Sequence, residues 1–179
     1  MAAQGIDVIV APNNTGHSMD FQANSRYLSH VGGGGDADVA VVFPLEGEIT
    51  AIATSAAPRW PSVQDWTTDI REAGRAYGRV AAERLRELKI GSGRVGVTGV
   101  GAGTRSPEGT VAHGFWVALT EALPEAEFVD ATDLMRQVRY VKSAEEIEAL
   151  RKSCEIIEKG VAAKIKAALP GAVDWEVWA

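Results

Sequence analysis

Cysteine occurs once in these 179 residues, as Cys154, and histidine three times, as His17, His30 and His113. A lone thiol excludes an internal disulfide framework and fits a reducing compartment. The three imidazoles form no H-x-H or H-E-x-x-H pair, so no helix face carries two metal ligands by spacing. Long apolar runs are lacking too. Val39-Ala40-Val41-Val42-Phe43 is among the longest, and it is strand length, far below a membrane span. No basic stretch followed by an apolar one opens the chain, so no secretory leader is expected and the expected location is cytoplasmic. Eighteen Lys and Arg stand against 24 Asp and Glu, a net charge of −6, and no basic block breaks the excess. That balance argues against a nucleic-acid partner held through phosphates.

What remains is an ordinary globular composition, 46% hydrophobic and 23% charged, long enough for one domain or one domain and a piece of another. Met1–Gln4 reads as the last turn of a helix capped by Gly5, and Ile6–Val10 as a strand stopped by Pro12. A short helical turn is expected over Asn24–Ser29. Strands Val39–Phe43 and Glu48–Ala53 flank the tight connector Leu45-Glu46-Gly47, a hairpin pattern. Asp65–Arg71 is expected to be an edge strand. Tyr77, Val80, Ala81, Leu85 and Leu88 recur at helical spacing within a helix over Gly74–Leu88. A strand over Arg94–Thr98, a helix over Val111–Leu123, a strand over Glu127–Val129 and a turn over Asp133–Val138 capped by Thr132 follow. This alternation predicts an α/β fold with a mixed sheet, the hairpin antiparallel and the helical crossovers parallel.

The last long element is announced by a capping box, Ser143-Ala144-Glu145-Glu146. Ile147, Leu150, Cys154, Ile157, Val161, Ile165 and Leu169 then form one stripe, on which Cys154 reads as a small buried hydrophobe. Pro170-Gly171 stops the helix and Asp174 caps another. The interrupted elements at both ends raise the expectation that these residues belong to a longer protein.

Two glycine-rich stretches invite a phosphate reading. Gly91-Ser92-Gly93-Arg94-Val95-Gly96 matches G-x-G-x-x-G, yet it follows a helix and opens a strand, the reverse of what pyrophosphate binding requires. Gly99–Gly103 lies between a strand and a helix and is better placed. It supports an alternative, a small-molecule or nucleotide-binding α/β domain using this loop, beside its plainer reading as a connector. No serine sits in a G-x-S-x-G elbow, and no base, nucleophile and oxyanion donor assemble.

Arg139, Lys142, Ser143, Glu146 and Ile147 fit R-x-x-K-[ST]-x-x-E-[IL]. That pattern resembles the junction between the N-terminal domain and the catalytic domain of the creatinase/prolidase/aminopeptidase P family. Asn24-Ser25-Arg26-Tyr27-Leu28-Ser29 resembles the family's N-x-x-Y-L-[ST] stretch, and Pro170-Gly171 with Asp174-Trp175-Glu176 its turn into the second catalytic-domain helix. The resemblance covers essentially the whole chain in order and spacing. It implies a ribonuclease-H-like mixed sheet flanked by helices over residues 1–140, then, over 141–179, a long linker helix and the truncated start of the pita-bread catalytic domain that this helix would open. It further implies that the parent hydrolyses peptide or related amide bonds, Xaa-Pro peptides among them, with two divalent metal ions such as manganese, zinc or cobalt. Their ligands would lie in the pita-bread domain beyond Ala179, so no residue here is matched to a metal. The implied role of this domain is non-catalytic: homodimer or higher-oligomer assembly, and loops that roof the active site over a small peptide substrate. The candidates for that roof, chosen from loop position and chemistry, are His17, Arg26, Tyr27 and Trp60. A guanidinium there could fork a substrate carboxylate and an aromatic ring could wall an apolar pocket.

Overall fold

The computed structural model describes residues 1–13, 23–32, 38–54, 64–102 and 106–178. It divides into two compact units, Met1–Val138 and Arg139–Ala179.

In the first unit six strands form one sheet: β1 (Val8–Ala11), β2 (Val39–Pro44), β3 (Thr50–Ala53), β4 (Asp69–Glu72), β5 (Arg94–Val97) and β6 (Glu127–Asp130), in the order β4-β3-β2-β1-β5-β6. The β1–β2 and β2–β3 pairs are antiparallel, and β1–β5, β3–β4 and β5–β6 are parallel. This is the mixed sheet that the alternating pattern predicts. The helices are α1 (Ala23–Ser29), α2 (Tyr77–Glu87), α3 (His113–Ala122) and α4 (Thr132–Tyr140), whose last two residues pass into the second unit. One 3-10 turn, Ala2–Gln4, precedes β1 and ends on Gly5 at φ 61.

The central strands are apolar throughout because both faces are covered. Val8, Val10, Ala40, Val42, Ile52, Val95 and Val97 point to one side, into a core completed by Val80, Leu85, Phe115 and Leu119 of α2 and α3. Ile9, Ala11, Val39, Val41, Ala51 and Ala53 point to the other, against Leu28 of α1 and Met135 of α4. Period-two alternation thus sorts the strands between two cores. Helices α2 and α3 approach closely at Gly78, where a Cβ would lie 2.7 Å from the Phe115 carbonyl oxygen. Helix α2 starts at Tyr77, not at Gly74 as the spacing suggests, because Gly74 and Arg75 both take positive φ, 52° and 65°. The edge strand β4 is shorter than its expected span over Asp65–Arg71, since residues 64–68 bend to meet α1. The expected turn at Asp133–Val138 is a full helix, α4.

An ion cluster fastens β4 to α2. Arg71 forks both Glu87 carboxylate oxygens at 2.8 and 2.7 Å and also donates to Asp69. Asp69 accepts the hydroxyl proton of buried Thr50 at 2.6 Å, and Arg84 donates to Glu87 at 3.1 Å. The Arg71 fork pulls the Glu87 carboxyl down to about 2, and the same contact raises Arg71 above its ordinary value.

The second unit holds α5 (Ala144–Ala167) and α6 (Asp174–Trp178). The capping box is present: Ser143 Oγ accepts the Glu146 amide at 3.1 Å, and Glu146 accepts the Ser143 amide at 2.8 Å. Lys164 Nζ sits 3.8 Å from the centre of the Trp178 ring, holding α6 to α5. No described residue of this unit is buried, and Cys154 is exposed, not buried as the stripe suggests. Two helices alone cannot enclose a core, so an apolar stripe is no guarantee of burial.

Candidate functional site

Strand register fixes where the candidate loops leave the sheet. Ala11 lies opposite Val41, Val39 opposite Ala53, and Ala53 beside Glu72, while Val10 lies beside Val97 and Val97 beside Asp130. The carboxyl ends of β1, β3, β4, β5 and β6 therefore share one rim with the start of β2. In open α/β sheets this is the rim that collects ligand sites. The chain carrying His17 leaves it after β1, that carrying Trp60 leaves after β3, and Gly99–Gly103 follows β5. His17 and Trp60 themselves lie outside the described residues. Arg26 and Tyr27 occupy α1, between β1 and β2. Arg26 is exposed and, among the described residues, pairs with no carboxylate; Tyr27 is 36% exposed.

The rim is braced by contacts that the sequence reading missed. Trp66 Nε1 donates to the Leu28 carbonyl at 2.9 Å and Thr67 Oγ1 to the Ser29 carbonyl at 2.7 Å, so residues 64–68 satisfy the last carbonyls of α1. His30 follows at φ 56, and its ring stacks on Trp66 with centroids 5.8 Å apart. Trp66 is 56% exposed, so a Trp–His platform stands at the carboxyl end of α1, the helix that carries Arg26 and Tyr27. Its only sequence signal is a lone tryptophan in the polar stretch Gln64-Asp65-Trp66-Thr67-Thr68. On the next strands, the Tyr77 hydroxyl meets Thr54 Oγ1 at 2.8 Å and the Asp38 carbonyl at 3.3 Å. Burial raises the Tyr77 phenol, which keeps it protonated as a strut.

In the Gly99–Gly103 loop, whose Gly103 lies outside the described residues, two backbone donors are spent internally. The amides of Gly99 and Gly101 both reach Thr132 Oγ1 at 3.0 Å, and that hydroxyl donates to Asp130 at 2.5 Å. A Cβ on Gly101 would run into the Asp130 carboxylate. Two amides that a phosphate would need are therefore occupied, beside an acid that would repel it. The other glycine motif is structural as well: a Cβ on Gly93 would lie 2.8 Å from the Asp7 carboxylate, which itself accepts the Arg94 amide at 2.7 Å. His113 is exposed at the start of α3.

At the opposite end of the sheet an open depression of about 450 Å³ includes Arg86, Lys89, Ser92 and Glu125 in its lining. Arg86 is engaged there with the Ala122 carbonyl at the end of α3, a capping contact. No group of three His, Cys, Asp or Glu side chains that could hold a metal ion occurs among the described residues, so they do not fit a two-metal centre. Nor is any described helix long and apolar enough to cross a membrane.

A two-sided mixed sheet, with the segments after β1, β3 and β5 leaving from one rim, defines the class: an α/β domain with helices on both faces of the sheet. Residues 1–141 match the family model of the Creatinase/Prolidase N-terminal domain, and the chain belongs to that family. An Xaa-Pro dipeptidase from Pyrococcus horikoshii is 35% identical over 70 residues, covering 39% of this chain and 20% of that protein. An X-Pro aminopeptidase from Thermotoga maritima shares the fold at a TM-score of 0.66 and 19% identity, over 97% of this chain and 44% of that one. An Xaa-Pro dipeptidase from Bacillus anthracis does so at 0.61 and 21%, over 98% and 43%. The chain spans less than half the length of these relatives.

Proposed function

We propose that this chain serves as the non-catalytic N-terminal domain of an Xaa-Pro aminopeptidase- or dipeptidase-like metallohydrolase that works in the cytoplasm. Its task there is to join copies of the enzyme into a homodimer or higher oligomer and to extend loops over the active site. The bond-breaking chemistry belongs to a C-terminal pita-bread domain with two divalent metal ions. The observation that carries this reading is the family match over residues 1–141 in a chain spanning under half of the dipeptidase and aminopeptidase named above. The rim supplies the means: Arg26 on α1 offers a guanidinium for a substrate carboxylate, and Tyr27 an aromatic wall. His17 and Trp60 are carried by segments rooted on the same rim.

The test is direct. The purified chain, supplied with manganese, cobalt or zinc, is expected to leave Gly-Pro and longer Xaa-Pro peptides intact. Turnover that survives repurification would overturn the reading.

A further inference from the structure

Helix α2 ends on a Schellman motif, with the Ile90 amide on the Leu85 carbonyl and the Lys89 amide on the Arg86 carbonyl, both at 2.9 Å. In this motif the residue after the cap takes the left-handed conformation and is usually glycine. Here it is Lys89, at φ 60. A side chain costs stability in that conformation, and an outlier kept at a cost points to a use. Lys89 lies in the lining of the depression of about 450 Å³ where the α2–β5 connection meets the α3–β6 connection. Among the described residues its side chain meets no carbonyl and no carboxylate, so capping α2 is not its task. Arg86 does meet one. Its guanidinium donates to the Ala122 carbonyl, which fixes a second cation in the lining and leaves further N–H groups on the fork. Ser92 adds a hydroxyl, and the turn that the Gly93 amide closes on the Ile90 carbonyl leaves the Gly91 and Ser92 amides untaken by any described backbone carbonyl. The other connection contributes the apolar Leu123 and Pro124 and one acid, Glu125, which pairs with no described cation.

We propose that this depression binds a free amino acid, its carboxylate on Lys89 and Arg86, its ammonium on Glu125 and its side chain against Leu123 and Pro124. Two cations on one connection suit an anion, and a guanidinium fork suits a carboxylate or a phosphate alike. Glu125 separates the two. It repels a doubly charged phosphate and draws an ammonium, so the pattern of charges matches a zwitterion. The open setting keeps each ion pair weak, and an affinity in the millimolar range is expected. The inference stands apart from the proposed function, and its failure would leave that reading untouched.

Titration of the isotopically labelled chain with leucine, read on the Gly91 and Ser92 amides by NMR, tests it. Both signals are expected to move and to saturate. Inorganic phosphate, isocaproate, which lacks the ammonium, and leucinamide, which lacks the carboxylate, are each expected to bind at least roughly threefold more weakly, the share of one exposed ion pair. Lys89→Gly separates the site from the scaffold. Glycine relieves the left-handed backbone, so the Tm is expected to rise by about 2–4 °C while leucine affinity falls at least roughly threefold. Glu125→Gln is expected to bind leucine and isocaproate alike. Signals that do not saturate with leucine, phosphate bound as tightly as leucine, or a Lys89→Gly chain that keeps its leucine affinity would overturn the proposal.

Discussion

Thr132 does three jobs with one hydroxyl. It accepts the Gly99 and Gly101 amides and donates to Asp130, while its backbone opens α4. Thr132→Val keeps the shape and removes the acceptor, leaving two amides without their partner. The expected loss is about 1 kcal/mol in urea unfolding, the low end for a stranded polar group, because both amides are only part-buried. The same arrangement predicts that nucleotides added to the intact protein produce no thermal shift, where a true site filled a hundredfold above its Kd would add about 2.7 kcal/mol. Single residues were the least legible level. Gly93 is readable as a phosphate glycine until Asp7 is seen beside it, 86 positions earlier in the chain. The stripe placed Cys154 inside, but the number of neighbouring elements decides burial, and that number is no property of the stripe. Trp66 gave no periodic signal, because it caps a helix that lies 38 residues away.

Elements were easier to read, since repetition averages out local exceptions. All six strands and the helices over Tyr77–Glu87, His113–Ala122 and Ala144–Ala167 lie within or close to their expected spans. The shifts came at ends, where positive φ at Gly74 and Arg75 delays α2. Two consequences follow from how α2 is held. Gly78→Ala improves intrinsic helix propensity by about 1 kcal/mol, yet its methyl meets the Phe115 carbonyl. Overpacking of this kind costs roughly 1–3 kcal/mol, so a lower Tm is expected in calorimetry despite the better helix former. The ion cluster predicts a pH effect. Glu87 has its carboxyl lowered from 4.5 to about 2 in the folded state, chiefly by Arg71. A lowered value contributes stability above about 4.5 that is lost as pH falls toward 2. Glu87→Gln carries no charge at any pH, so it is expected to be less stable at neutral pH and to converge with the wild type across that acid window. The gap will be modest, because the Glu87 side chain is half exposed and solvent screens the pair. Denaturant midpoints at pH 7, 4 and 2.5 would show the convergence or its absence.

At the scale of the whole molecule, the fold class was legible and the rim only partly so. Strand–hairpin–helix alternation sufficed for a mixed sheet, because two-sided burial forces the strand composition. That the loops bearing His17, Trp60 and Gly99–Gly103 leave the same edge depends on strand order and register, which no local spacing encodes. Arg26→Ala tests whether this rim is independent of the core: an exposed guanidinium with no carboxylate partner among the described residues is expected to change stability by less than about 0.5 kcal/mol in urea unfolding. The Tyr77 strut bears on the same point. By tying Thr54 to the Asp38 carbonyl it closes the circuit between the end of β3 and the start of β2. Whatever lies in the neighbouring segments can lengthen, shorten or change its chemistry without loosening the strands that anchor it. A lineage holding this knot fixed is free to retailor its outer margin for new tasks, at little hazard to the scaffold beneath.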